Sequence, residues 1–286
     1  MTPDILAAMT GPARHRPPGA LRALVSRVHG YRMAPGPAGS HQGVPSGHLT
    51  LILCQEGRLE MLANADPARP PGTFTAMVSG LHTGPARIAT GAAQTGLQLD
   101  LTWRGARALL GVPAAELAGD SVDLAALLGH TVPALLDRLA SAPTWAERFA
   151  VLDAELAGLA GRSADRRDPV RPEVAHAWDR LVRTGGTVRI TDVAADVGWS
   201  RRHLADRFHA ETGLTPKGAA RVIRFERACA LLRRDRPALA DVACTAGYTD
   251  QAHLARDFRD LAGQTATSWL AERGLATAAG PPARRG

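Results

Sequence analysis

Four side chains at helical spacing have the reach and the hydrogen-bonding groups to read the edge of a base pair: Arg202, Asp206, Gln251 and Arg256. A guanidinium forks onto guanine O6 and N7, a carboxamide onto adenine, and a carboxylate accepts from cytosine N4. Ser200, Arg201, Arg207, Thr249 and Arg259 flank them and suit the phosphate backbone, which takes hydrogen bonds without carrying sequence information. Gln251 borders both groups. Each assignment has a plainer alternative. Arg202 has Asp206 one turn on as an ion-pair partner, and Arg256 has Asp250 and Asp260 or a phosphate.

These residues fall on a pattern that occurs twice between Ile190 and Leu270. A short helix with two apolar positions (Val193 and Val197; Val242 and Ala246) meets Gly198-Trp199-Ser200 in one copy and Gly247-Tyr248-Thr249 in the other, the glycines lying 49 residues apart. Gly turns the chain, and the Ser or Thr is expected to N-cap the next helix. Leu204 with Phe208, and Leu254 with Phe258, bury one face of that helix at i, i+4. The opposite faces then carry Arg202, Ala205, Asp206 and His209 in one unit, and Ala252, Ala255, Arg256 and Arg259 in the other. Helix, turn and helix at this spacing is a helix-turn-helix unit. A linking helix from Lys217 to Arg234, ~27 Å at about 1.5 Å per residue, would let the two units meet successive major grooves ~34 Å apart.

Charge agrees with a polyanion partner. Residues 1–165 carry 13 Arg against 13 Asp or Glu, whereas 166–286 carry 21 Arg or Lys against 14, so the formal net charge of +7 belongs to the half with the repeat. Cys54, Cys229 and Cys244 are scattered and odd in number, which excludes a disulfide framework and fits a reducing compartment. No apolar run approaches a membrane span or a secretory h-region, so the expectation is a cytoplasmic chain with no membrane partner.

Enzyme readings fare poorly. An alkyl-transfer domain needs a cluster of Cys ligands, and the first 165 residues hold only Cys54. A metal-dependent cupin needs several His and a Glu on adjacent strands. His41, His48 and His82 are available, but no His-x-His pair occurs and two of them lie in or beside a Gly/Pro/Ser loop. Neither a phosphate loop nor a nucleophile elbow appears. No enzyme activity, catalytic residue, metal or cofactor is expected.

The amino-terminal half reads as short strands followed by helices. Leu49–Cys54, the turn Gln55-Glu56-Gly57 and Leu59–Leu62 suggest a hairpin; Phe74–Ser79, Arg87–Thr90 and Leu97–Leu101 suggest further strands, the last alternating apolar and polar. Helical segments follow at 104–110, 121–128, 132–140 and 144–159, with Thr144 as N-cap of the last. Trp145, Phe149, Leu152, Leu156 and Leu159 form a stripe that either packs on the sheet or dimerises helix to helix. Glu173–Thr184 is a helix with Val174, Trp178, Leu181 and Val182 inward.

The segment from about Val174 to Leu270 resembles the DNA-binding domain of AraC/XylS-type transcription regulators. The likeness includes Gly213-Leu214-Thr215-Pro216 closing the first unit, Arg224, Ala228, Leu231 and Leu232 in the linking helix, and Gly247 to Phe258. Ala266 stands where the family usually has Pro, which is expected to soften the last helix without removing it. Gly96 to Gly129, including Gly105 to Pro113, is similar to a subgroup with a β-rich sensor domain, with Trp103 in place of its usual Pro. The resemblance implies a cupin-like amino-terminal domain that binds an effector or dimerises.

Together these readings give an α+β chain: an amino-terminal antiparallel β (cupin-like) domain with a helical pair, then an all-α domain of two helix-turn-helix units joined by a long helix. The expected boundaries are a mobile tail at 1–20, the β-rich domain at 21–160, a linker at 161–172, the DNA-binding domain at 173–273 and a second tail at 274–286. The expected function is a sequence-specific DNA-binding transcription regulator, with a metal-dependent cupin fused to a DNA-binding module as the alternative. The expected partner is double-stranded DNA at promoter sites. An unknown small-molecule effector, RNA polymerase and a homodimer through residues 132–160 stay open.

Overall fold

The computed structural model describes residues 13–164, 170–234 and 237–272. Ten strands come first: β1 (Ala13–His15), β2 (Val25–Met33), β3 (Gly39–Gly43), β4 (Leu49–Glu56), β5 (Leu59–Ala63), β6 (Gly72–Phe74), β7 (Ala76–Ser79), β8 (Ala86–Thr90), β9 (Gln94–Leu101) and β10 (Ser121–Asp123). They form two antiparallel sheets, one in the order β1-β2-β9-β4-β7-β10 and the other β3-β8-β5-β6. Short α1 (Trp103–Gly105) runs into a π-helical turn at Ala106–Leu110, and α2 (Leu124–Leu128), α3 (Thr131–Ser141) and α4 (Trp145–Ala164) complete this half.

Period-2 alternation builds two cores from the same strands. Leu49, Leu51 and Leu53 of β4 and Leu97, Leu99 and Leu101 of β9 face the helices and join Leu135, Leu152 and Leu156. Tyr31, Ile52, Cys54, Leu59, Met61 and Met77 fill the space between the sheets. The polar residues of β9 also face inward: Gln98 is 5% and Asp100 1% exposed, and Asp100 holds Arg27 Nε at 3.2 Å.

Several local expectations change. Leu49–Cys54 and Leu59–Leu62 are not a hairpin, because at Gly57 the chain crosses from one sheet to the other; β4 pairs with β7 and β9, while β5 pairs with β6 and β8. Phe74–Ser79 divides at Thr75 between the two sheets for the same reason. The start of the 121–128 segment is strand β10 rather than helix, paired with β7. Ala13–His15, placed in the expected tail, is an edge strand pinned by His15 Nε2 to Asp153 at 2.8 Å and by a stack on Phe149. The stripe on α4 packs on the sheet, with Phe149, Leu152, Leu156 and Leu159 at 1–8% exposure and Trp145 half-buried. Thr144 and Glu147 exchange hydrogen bonds as a capping box at its start. α4 extends through the first four residues of the expected linker to Ala164; residues 165–169, 1–12 and the tail at 274–286 lie outside the described residues.

Among the described residues, seven helices make the second half: α5 (Pro172–Arg183), α6 (Ile190–Asp196), α7 (Arg201–Thr212), α8 (Pro216–Arg234), α9 (Leu239–Ala246), α10 (Gln251–Ala262) and α11 (Ala266–Glu272). α11 forms without the family proline, with Thr265 Oγ1 accepting from Ser268 N at its start. The halves are bolted together by Arg104 to Asp179, Arg107 to Glu211 at 3.0 Å, and Gly47 N to Glu226 at 3.0 Å.

Burial lowers the pKa of His29, His41, His48 and His82, that of His41 to about 4 from 6.5. An imidazole kept neutral in the fold but free to protonate when unfolded makes stability fall as pH drops below the unfolded value. The thermal midpoint is therefore expected to fall between about pH 7 and about pH 5. His41→Gln should recover part of that loss, up to about 2 kcal/mol at pH 5. An equal slope in the variant would remove His41 as a source.

Candidate nucleic-acid interface

Each helix-turn-helix unit is held by a small apolar nucleus. Val193, Ala194, Leu204 and Phe208 are 0–2% exposed in the first, and Val242, Ala246, Leu254 and Phe258 are 0–1% in the second. Trp178 stacks on Phe208 at 5.7 Å, fixing α5 over α7, while Phe225 of α8 meets Phe258 edge-on at 4.9 Å. Gly198 and Gly247 have φ of +70° and +90°, the left-handed values that let the chain reverse between helices.

The turns are not the same length. The glycines are 49 residues apart, but Leu204 and Leu254 are 50 apart, so the second turn has one additional residue. Ser200 caps α7 by accepting from His203 N at 3.2 Å, and its counterpart is Asp250, which accepts from His253 N at 2.7 Å. Thr249, expected as the cap, is the inserted residue. An aromatic in each turn sits edge-on to the capped histidine, Trp199 to His203 and Tyr248 to His253.

Arg202, Asp206, Gln251 and Arg256, and with them Ser200, Arg201, Arg207, Thr249 and Arg259, are all exposed. The suspected ion pairs do not form. Arg202 and Asp206 make no salt bridge; Asp250 is engaged as a cap; and Asp260 bonds Arg221 Nη2 at 2.5 Å. Arg221 also bonds the buried Asp257 at 2.6 Å, tying α8 to α10. Sequence reasoning missed this clamp, although Arg221, Asp257 and Asp260 stand at helical steps on their two helices. Arg224 likewise serves the fold: Nη1 donates to Gly186 O at 2.6 Å, with the guanidinium 5.8 Å from the Tyr248 ring centroid. Both faces thus retain cations that form no ion pair among the described residues.

The histidines weighed as metal ligands separate. His41 and His82 line one narrow cavity between the sheets, about 50 Å³, while His48 lies beside Glu226, with Nδ1 at 3.9 Å. Among the described residues no three His, Cys, Asp or Glu side chains converge on a common point, and no helix is long and apolar enough to cross a membrane.

Two capped recognition helices with outward polar faces, joined by one long helix, define a DNA-binding transcription regulator. Residues 193–272 match a family model described as a helix-turn-helix domain. ToxT from Vibrio cholerae is 11% identical, with 86% of this chain and 97% of that chain covered and a TM-score of 0.53. The unsaturated fatty acid-bound ToxT of Vibrio cholerae strain SCE256 is 12% identical over 87% and 96% of the two chains, with a TM-score of 0.54. An AraC-type regulator from Chromobacterium violaceum is 23% identical, covering 38% of this chain and 96% of that chain at a TM-score of 0.33. No curated protein matches. The likeness to ToxT is one of fold: a β-rich half followed by the double helix-turn-helix.

If Asp250 is the cap, Asp250→Ala should destabilise the protein by ~0.5–2 kcal/mol in urea unfolding. Thr249→Ala should stay within ~0.5 kcal/mol of the parent. The reverse order would move the cap back to Thr249.

Proposed function

We propose that α7 and α10 read two major-groove segments of one asymmetric site. The observation that carries this reading is the pairing of nearly interchangeable buried anchors with unlike exposed faces: Arg202 and Asp206 on α7, Ala252 and Arg256 on α10. Arg256 is the leading base reader, because it is exposed, free of ion pairs among the described residues and, unlike Arg202, has no uncommitted carboxylate one turn away on the same face. Arg202 is second, Gln251 reads from the start of α10, and Asp206 accepts from cytosine at greater cost beside phosphates. Ser200, Arg201, Arg207, Thr249 and Arg259 hold the backbone. Transcription then responds through RNA polymerase at the bound promoter.

The β-rich half is the sensor in this reading. The cavity between the sheets is lined by Thr50, Met61, Met77, Ser79 and Gln98 besides His41 and His82, with no Lys, Arg, Asp or Glu. Burial keeps both imidazoles uncharged near neutral pH. Support for ligand control comes from ToxT, whose structure with an unsaturated fatty acid shares this two-part fold. The chain acts as a regulator and not as an enzyme.

Selection of bound sequences from a random library tests base reading. Arg256→Ala should relax preference at one position and cost ~1–3 kcal/mol; an unchanged selected motif rejects the role. Arg201→Ala should weaken all sequences alike and reduce the salt slope by ~1. A change of motif in that variant would exchange the two assignments.

A further inference from the structure

Asp257 places a carboxylate on the buried stripe of α10, where its neighbours at helical spacing are Leu254, Phe258 and Leu261. A charged group only 3% exposed among apolar side chains is costly unless it is paired. Burial of the helix does not require it. At the same place in the first unit, 50 residues earlier by the offset of Leu204 and Leu254, stands Arg207, which is exposed. Leu204 and Phe208 bury α7 without a charge on that stripe, so packing alone does not account for the acid of α10.

The groups that hold Asp257 lie outside α10. Its Oδ1 accepts from Arg221 Nε at 2.6 Å, and the other arm of that guanidinium holds Asp260 at 2.5 Å, so α8 grips two acids three residues apart on α10. In the turn before α10 the Tyr248 hydroxyl is buried, as is Asp257 Oδ2. Burial first, and then the Asp257 charge, raise the Tyr248 pKa, so the hydroxyl stays protonated beside the acid. Further along α8, Arg224 lies over the Tyr248 ring and donates to Gly186 O in the segment between α5 and α6. Gly247 packs so closely on that segment that an added Cβ would lie 2.3 Å from Thr187 Cγ2. The network therefore runs from α10 through α8 and the second turn to the segment that leads into the first unit.

Apolar contacts between α8 and α10, such as that of Phe225 with Phe258, are non-directional and tolerate a small roll of one helix on the other. Charge-assisted hydrogen bonds fix direction as well as distance. Arg256 precedes Asp257, ~100° round the helix, so the bonds that turn Asp257 toward α8 also aim Arg256 outward. Forked readout of a base depends on that aim, since a reading side chain has to be held within ~0.5 Å and ~10–20° of its productive geometry. We infer that Asp257 is a positioning residue for base reading, a role that rests on α10 reading the major groove: held by Arg221 and Tyr248, it sets the roll of α10 and thereby the base pair that Arg256 meets relative to the segment under α7. Asp257 itself touches no DNA and acts only through Arg256.

Selection of bound sequences with the full chain, followed by a double-mutant cycle on the selected site, tests this. Asp257→Asn keeps the shape and removes the charge. Its motif should retain the α7 segment and blur the α10 segment or its spacing. Binding to the parent site should weaken ~10-fold, with affinity for random duplex within ~2-fold of the parent. In an Arg256→Ala background the same change should cost less than ~3-fold more, because the group it aims is already gone. A purely structural loss would instead act in full in both backgrounds and weaken random duplex alike. Arg221→Lys keeps a cation but not the fork and should show the same pattern; it carries the cycle if melting curves show Asp257→Asn to be unfolded. An unchanged α10 segment in the folded variants, or full additivity with Arg256→Ala, overturns the inference while base reading by Arg256 stands. If Arg256→Ala itself leaves the motif unchanged, the base-reading role fails and the positioning role with it.

Discussion

The burial of α8 is the constraint on which the second half depends. One face of this 19-residue helix supplies Phe225, Ala228, Cys229 and Leu232 to the nucleus of the second unit, and Ala219, Ala220 and Val222 near its start are as deeply buried. Its length sets the separation of the reading helices at about 1.5 Å per residue. A helix locked by apolar contacts along its length cannot rotate one unit without disturbing the other. Arg221 strengthens this link, because its bonds to Asp257 and Asp260 hold α10 to α8 by charge as well as by packing.

The same helix joins the halves. Glu226 receives the Gly47 N–H from the loop before β4, while Arg107 reaches Glu211 near the end of α7 with side chains only 20% and 14% exposed. Pairs this sheltered are costly to break one partner at a time, because the charge left behind is poorly solvated. Gly213 packs so closely on Ala115 and Ala118 that an added Cβ would lie 2.3 Å from the Ala118 side chain. The amino-terminal half therefore grips the end of the first reading helix and leaves its outer face exposed. A change of shape in the sheets has three polar routes to the DNA-binding half among the described residues, through Arg104, Arg107 and Glu226.

The second half was the more legible in sequence because its signals are local. Leu204 and Phe208 lie one turn apart, and so do Leu254 and Phe258, so the period alone identifies the buried face and by subtraction the exposed one. The inserted Thr249 also lay in the numbering, in the change from a 49- to a 50-residue offset, but Thr and Asp both suit a cap and composition did not choose between them. The sheets were harder. A strand crossing from one sheet to another has the same alternation as half of a hairpin, and the pairing of β4 with β9 joins Leu49 to Leu101 and Leu53 to Leu97, far apart in the chain. Gln98 and Asp100 resembled a solvent face, yet both are buried, Gln98 against the cavity between the sheets and Asp100 beside its partner Arg27. The exposure of Val182, expected to point inward, depends on where the other half docks, which no local pattern records.

Charge is sorted differently on the two reading helices. On α10 every carboxylate is occupied by the fold: Asp257 is buried against Arg221, and Asp260 bonds the other arm of that guanidinium. Asp250, just ahead of the helix, is held by the His253 amide. Arg256 and Arg259 are then left without acidic competition. On α7 Glu211 is taken up by Arg107, but Asp206 stays exposed and unpaired in the middle of the outward face. A free carboxylate there repels phosphate, and its attraction is to an exposed base amino group. In the proposed reading Arg201 and Arg207 beside it supply the compensating attraction to the backbone. In the proposed reading the two units divide the work by electrostatics: α10 offers guanidinium readout and α7 a backbone grip around one selective acid.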